Sequence, residues 1–313
     1  MRHGFLFVSI IYEATRTVAG QPSKGYYRKQ NHAPRTGYRM TGMTPFGNHR
    51  EPALIWTGPE GLAVAKPAGM HSAPGSNPDG SSLAEWVFQR YPELGRIKGR
   101  SKGEGGLIHR LDRDTEGLVL FARTEAFFAG IAAQAAAGGF IKSYLARAVP
   151  GCGGLAGSRP LLATPGGTEE SAWKDALRRQ DQERLSELLS GAFIEGRFRP
   201  FGPGSKRVAC MLPAEPCSLK AWTKDLYTTR IQAACPADTA LLVDVRLARG
   251  FRHQVRAHLA WVGLSLEGDA LYGEGGDDAG ADAPETGLKL LAYALSFKDP
   301  ANGAEVSISL PGI

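Results

Sequence analysis

Apolar and polar positions along the chain change rhythm several times, and each change marks an element. Residues 1 to 50 mix Gly, Pro, Tyr and basic side chains with no sustained period after Tyr12, which predicts a disordered arm. From Pro52 the texture changes. Leu54-Ile55-Trp56, a Gly58-Pro59 turn and the run Gly61 to Lys66, stopped by Pro67, predict two short strands joined by a turn. Ser82 to Arg90, with Leu83, Trp86, Val87 and Tyr91 on one side, predicts a helix that Tyr91-Pro92 ends. Leu118 to Ala122 reads as a buried strand, and Thr124 caps a helix over Glu125 to Ala137 that stops at Gly138-Gly139. Ile141 to Val149 predicts another strand. Glu169 to Leu189 reads as a charged helical segment with Trp173, Ala176, Leu177, Leu185 and Leu188 as contact positions. Leu241 to Leu247 is strand-like, and Val255, Leu259 and Val262 have the spacing of a buried helix face ended by Gly263. Leu291 to Pro311 predicts two strands around Pro300-Ala301-Asn302-Gly303.

Charge alters this picture less than its total suggests. The formal net charge is +6, yet eight of the 37 basic side chains and one of the 31 acidic ones fall in residues 1 to 50, so residues 51 to 313 sum to about −1. Net charge is therefore no sign that the folded part binds nucleic acid. The informative feature is local: Arg96, Lys98, Arg100 and Lys102 alternate with glycines just upstream of the densest charged cluster. Cys152, Cys210, Cys217 and Cys235 form no Cys-x-x-Cys pair and read as reduced thiols in a cytoplasmic protein. No apolar run approaches the ~20 residues that span a bilayer, and the start lacks a clean export signal. Met40 and Met43 offer alternative starts just before the folded region.

The cluster itself is Gly106 to Arg123, G-L-I-H-R-L-D-R-D-T-E-G-L-V-L-F-A-R. It holds His109, Arg110, Asp112, Arg113 and Asp114 between the apolar pair Leu107-Ile108 and a buried strand, a costly placement without a use. The structural alternative is a polar loop whose carboxylates pair with its own arginines.

The order of these residues resembles the catalytic signature of the RluA family of RNA pseudouridine synthases. Further motifs follow in the family's order. Lys66-Pro67-Ala68-Gly69 is similar to its Lys-Pro-x-Gly, and Lys142-Ser143-Tyr144-Leu145-Ala146 to its Lys-x-Tyr-x-Ala. Gly250-Phe251-Arg252-His253-Gln254-Val255-Arg256-Ala257-His258-Leu259 and Gly268-Asp269-Ala270-Leu271-Tyr272-Gly273 complete the set. Two departures stand out: Phe251 replaces the arginine that follows glycine, with Arg252 one place later, and Glu116 stands where serine is usual.

The resemblance implies an α+β pseudouridine synthase fold, a mixed and mostly antiparallel sheet with flanking helices and a central RNA-binding cleft. It implies one catalytic domain over residues 51–313, with a divergent or inserted segment at about 152–200. Asp112 would be the nucleophile, Arg256 its ion-pair partner and Tyr144 the ring that stacks on an extruded base. Arg110 would fill the gap left by that base, with His109 positional. Further substrate contacts would come from Thr115, Arg252, His253, Lys66, Lys98, Arg100 and Lys102. No cofactor or metal is implied. The partner would be RNA, ribosomal by preference and transfer RNA as the other choice, with no membrane and a monomer as default. Two other classes compete: a metallohydrolase recruiting His109, Asp112, His253 and His258, and a non-catalytic RNA-binding protein on the same fold. The five-residue step from His253 to His258 suits one helix face poorly, and RNA binding alone does not require Asp112.

Overall fold

A computed structural model describes residues 45–47, 50–75, 82–151, 162–164, 170–212, 223–273 and 287–313. The Gly58-Pro59 turn joins β1 (Ala53–Thr57) to β2 (Gly61–Lys66) as an antiparallel pair. Ser82 opens α1 (Leu83–Arg90) with a reciprocal cap, its hydroxyl accepting from the Glu85 N–H at 3.3 Å while its own N–H donates to the Glu85 carboxylate at 2.7 Å. β3 (Glu116–Ala122) follows the charged cluster; α2 (Glu125–Ala137) runs from the Thr124 cap to a left-handed Gly138, and β4 (Ile141–Pro150) returns. The remainder is β5 (Leu162–Ala163), α3 (Glu170–Arg179), α4 (Gln182–Leu189), β6 (Phe193–Phe201), β7 (Arg207–Met211), β8 (Tyr227–Ala237), β9 (Ala240–Leu247), α5 (Gln254–Trp261), β10 (Leu264–Leu266), β11 (Leu290–Lys298) and β12 (Glu305–Ser309).

Among the described residues these strands make one sheet in the order β1-β2-β3-β11-β4-β9-β8-β6-β5, with β10 on β4, β12 on β11 and β7 on β6. Every pairing is antiparallel except β3 with β11. That parallel contact is close: a Cβ on Gly117, whose φ is +124°, would lie 2.2 Å from the Ala292 carbonyl oxygen, so glycine is required there.

The two-residue strand period lets each apolar run feed two cores. Leu62, Val64, Val119, Phe121, Tyr144 and Ala146 pack with Leu83 and Val87 of α1 on one face. Ala63, Ala65, Leu118, Leu120 and Leu145 pack with Phe127 and Ile131 of α2 on the other. β2 and β3 are buried along their whole length, which is why they read as unbroken apolar runs.

Three expectations change. The segment read as helical over Glu169–Leu189 is two helices, broken where Gln180 adopts φ +51° and Asp181 caps the second by accepting from the Arg184 N–H at 3.0 Å. Its contact positions pack on the first core, with Leu189 fully buried and Leu188 at the edge. Strands β6, β7 and β8 are absent from the pattern reading, and β6 pairs with β8 inside the sheet. Finally, α5 is buried all round rather than on one face, with Gln254, Arg256 and His258 enclosed among its apolar residues.

The expected arm lies mostly outside the described residues, as do Cys152 and Cys217. Phe46 is nevertheless part of the second core, so the folded region reaches upstream of residue 51. Cys210 and Cys235 are free thiols. Among the described residues no helix is long and apolar enough to cross a membrane.

Candidate active site

Pro67 removes a ladder donor and ends β2, which leaves Lys66 at the strand terminus pointing under the charged cluster. Lys66 is fully buried, and its ammonium donates to the carbonyls of Pro67, Met70 and Arg113, each at 2.8 Å. Burial lowers it to about 8 against the raising charges of Asp114 and Asp112, so it stays mainly protonated at neutral pH. Ser72 acts on the other side of Asp112. Its hydroxyl donates to the Leu111 carbonyl at 2.8 Å and accepts from the Leu111 N–H at 3.0 Å. The two neighbours of Asp112 are thereby pinned, and the Thr115 N–H closes a turn onto the Asp112 carbonyl at 3.2 Å. Ile108, bonded to the Leu120 carbonyl at 3.0 Å, anchors the upstream end against β3.

This leaves the Asp112 side chain 25% exposed. Arg256 of α5 brings Nη1 to 3.6 Å from its Oδ2. The bidentate contact of Arg256 is with a different carboxylate: Nε and Nη2 donate to Oδ2 and Oδ1 of Asp269, both at 2.7 Å. Asp269 is itself oriented by the N–H groups of Leu271 at 2.9 Å and Tyr272 at 3.1 Å. Arg256 is thus a clamped cation that turns one free edge to Asp112.

His253 stands beside it in the left-handed conformation, φ +56°, at the start of α5. Its Nδ1 lies 3.1 Å from the Tyr272 hydroxyl and its Nε2 3.9 Å from Asp112 Oδ2. Burial lowers the ring to about 4 although the Asp112 charge opposes this, so it is a neutral imidazole at pH 7. Tyr144, on the same sheet face as the first core, is 7% exposed. Burial, and secondly the Asp112 charge, push its phenol far above the usual range and keep it neutral.

The structure gathers Asp112, Arg256, His253 and Tyr144 and sorts the other candidates. Lys66 is a brace beneath the loop and has no face toward a substrate. His109 is likewise buried: its Nε2 accepts from the Leu120 N–H at 3.2 Å, its ring lies against Phe140, and burial holds it well below the usual imidazole range. Thr115 is 2% exposed inside the turn. Arg252 donates to the Ser205 and Arg207 carbonyls at 2.6 and 3.0 Å, fastening the β6–β7 turn. Arg110 points outward, 66% exposed, with Glu104 at 3.3 Å. Lys98, Arg100 and Lys102 are exposed on the loop beside the cleft. His258 bonds Thr229 at 2.8 Å, and among the described residues no group of three His, Cys, Asp or Glu could hold a metal.

Sequence reasoning missed Ser72 and the role of Asp269. The latter lay in the Gly-Asp-x-x-Tyr-Gly motif, but its pairing spans a helix and a turn and leaves no local signal. Both departures now have places. Phe251 stacks on Phe198 with centroids 5.1 Å apart and lies 5.1 Å from Tyr227, in an aromatic cluster behind α5. Glu116 is buried and accepts from the Gly47 N–H at 2.7 Å, tying down the chain ahead of β1.

Comparison with known proteins matches this architecture. The family model described as RNA pseudouridylate synthase matches residues 61–261, and the chain belongs to that family. It is 28% identical over 214 residues to a ribosomal large subunit pseudouridine synthase D of Zymomonas mobilis, covering 68% of this chain and 53% of that one. A protein of the same name from Xanthomonas campestris is 29% identical over 261 residues, covering 80% and 62%. The chain thus spans between about half and under two thirds of the length of these relatives. Among solved structures, human RNA pseudouridylate synthase domain containing 1 covers 86% of both chains with a TM-score of 0.52 at 17% identity.

Proposed function

We propose that this protein is an RNA pseudouridine synthase that isomerises a uridine in structured RNA, with ribosomal RNA as the preferred substrate. The observation that carries the reading is the partly exposed Asp112 carboxylate, with a guanidinium 3.6 Å away that Asp269 holds in place. Two relatives carrying the name ribosomal large subunit pseudouridine synthase support the ribosomal preference.

In this reading the target nucleotide leaves its helix to reach Asp112, and the exposed Arg110 guanidinium fills the vacated stack. Tyr144 offers its ring to the flipped uracil. Asp112 attacks or abstracts a proton as the bond between ribose C1′ and base N1 breaks. The uracil turns, C1′ bonds to C5, the C5 hydrogen passes to solvent as a proton and N1 takes up one. Atoms and electrons balance without an oxidant or group donor. Arg256 supplies a fixed positive charge 3.6 Å from the Asp112 carboxylate, and the neutral His253 packs beside it without adding a second charge. Every residue in this scheme comes from one chain, so a single copy suffices, and the compartment is the cytoplasm.

Incubation with large-subunit ribosomal and transfer RNA transcripts tritiated at uracil C5 tests this reading. Tritium release, greater from the ribosomal transcript, is expected; no release from either transcript overturns it.

A further inference from the structure

Three lysine or arginine side chains lie largely out of water around the cleft, and two of them are fully answered by Lys66's carbonyls and Arg256's carboxylates. The third is Lys142, in the first position of the Lys-x-Tyr-x-Ala motif. It precedes Tyr144 by two residues on β4, so both side chains leave the same sheet face about 6.6 Å apart along the strand. Their cross-strand partners on β9, Leu247 and Val245, both belong to the first core, and a bulge in β11 between Ala292 and Ala294 separates their partners on that strand. The distance is one that a nucleotide spans between its base and its phosphate.

Among the described residues no anion stands beside the Lys142 ammonium. It lies 5.9 Å from the centroid of the Phe140 ring. A Cβ on Gly250 would come within 2.6 Å of it, so bare backbone at that position is what makes room. Its titratable neighbours, the cationic Arg100 of the exposed basic loop and the neutral His109, offer no compensation. Among the described residues no carboxylate or carbonyl accepts a hydrogen bond from it. Burial, and secondly Arg100, lower its ammonium to about 8, the mark of a cation that lacks a counter-charge.

We infer that Lys142 and Arg100, over the Gly250 backbone, form a binding site for a phosphate of the RNA strand that runs past Tyr144. This rests on the reading of RNA as substrate and adds to it a specific anion contact. An RNA phosphate brings the missing negative charge, releases its own counterions and restores the ammonium to an ordinary environment. Lys142 is on this account a substrate-binding residue, whereas Lys66, fully buried, is a structural one.

The test is RNA affinity as a function of KCl, with tritium release in parallel, on a large-subunit ribosomal transcript. Wild type is compared with Lys142→Met, Lys142→Arg and Gly250→Ala. Loss of one phosphate contact makes the slope of log affinity against log salt shallower by about 0.7 to 0.9. Lys142→Met is expected to show that change and about tenfold weaker binding at low salt, with kcat at saturating RNA retained. Lys142→Arg is expected to keep the wild-type slope. Gly250→Ala is expected to weaken binding by crowding the ammonium. An unchanged slope and affinity in Lys142→Met, or a loss of kcat with affinity intact, overturns the site. Should Lys142→Met fail to fold, wild-type affinity in Gly250→Ala overturns it instead. RNA binding that depends on Lys142 without tritium release by wild type supports the site while removing the proposed isomerase activity; absence of RNA binding by wild type removes both.

Discussion

On the α5 side of the cleft, Arg256 donates to both oxygens of Asp269 and turns its remaining edge to Asp112. On the β4 side, the Lys142 ammonium meets a phenyl ring and a second cation. Both groups are taken from water, yet one is compensated within the chain and the other is not. A buried charge with its partner removed costs about 3–5 kcal/mol, so the α5 side must be complete before substrate arrives. The β4 side tolerates incompletion because Arg100 stands on an exposed loop and Lys142 as a whole residue is only partly buried. The catalytic wall is preorganised, and the binding wall is finished by the RNA.

The comparison can be broken at several points. The largest effect is expected from Asp112→Ala, which should lower turnover by at least about 10³-fold with little change in RNA affinity, read by single-turnover tritium release beside filter binding. Asp269→Asn comes next. Losing the counter-charge of Arg256 should cost on the order of 3 kcal/mol in urea unfolding and about 10²-fold in turnover; near-normal values for both would show that Arg256 needs no clamp. Arg256→Lys belongs with it, since lysine cannot reproduce the fork that grips Asp269.

Lys66→Met leaves three carbonyls without a donor beneath the Asp112 loop, and a loss of about 2–3 kcal/mol in urea unfolding is expected. RNA affinity should persist, because Lys66 does not face the substrate. If affinity drops with stability intact, the division between brace and binder is wrong.

The smallest effect concerns the sheet face away from the cleft. Asp244 is buried there, accepting from the Tyr293 hydroxyl at 3.0 Å. Burial pushes it up to about 6, above its unfolded value. Its stabilising contribution is therefore fully present below about pH 3.9 and is lost as pH rises through the folded value. Asp244→Asn keeps an acceptor for Tyr293 and should be more stable than wild type at pH 8 by about 1–3 kcal/mol, an advantage that vanishes near pH 4. Thermal unfolding at the two pH values checks this, and turnover should not change.

How far the molecule was legible in its sequence depends on whether the signal was local. β2 and β3 could be read because burial on both faces leaves continuous apolar runs, α1 because its apolar positions share one side before Pro92, and α2 because Thr124 caps it. β6 to β8 could not, since Phe193–Phe201 carries glycine, proline and two arginines and is recognisable as a strand only through its partners. At the site, the ordered motifs picked out Asp112, Tyr144 and Arg256, which the fold brings together. They did not separate groups that face the cleft from groups that hold it. Lys66 binds a carbonyl 47 residues away and was assigned to substrate because residue type alone does not reveal direction; His109, read as positional, turns its ring to β3. The Arg256–Asp269 pair was hidden for the same reason, and the bidentate contact was assigned to Asp112 instead.

The most direct measurement is C5-tritium release by wild type and Asp112→Asn on the same ribosomal transcript, with RNA affinity and urea stability determined on the same preparations. The account predicts release by wild type alone, with both proteins equally folded and binding RNA alike. Release by Asp112→Asn at a wild-type rate would contradict it, because the carboxylate beside Arg256, on the loop that Ser72 and Lys66 pin, would then not be the group that does the chemistry.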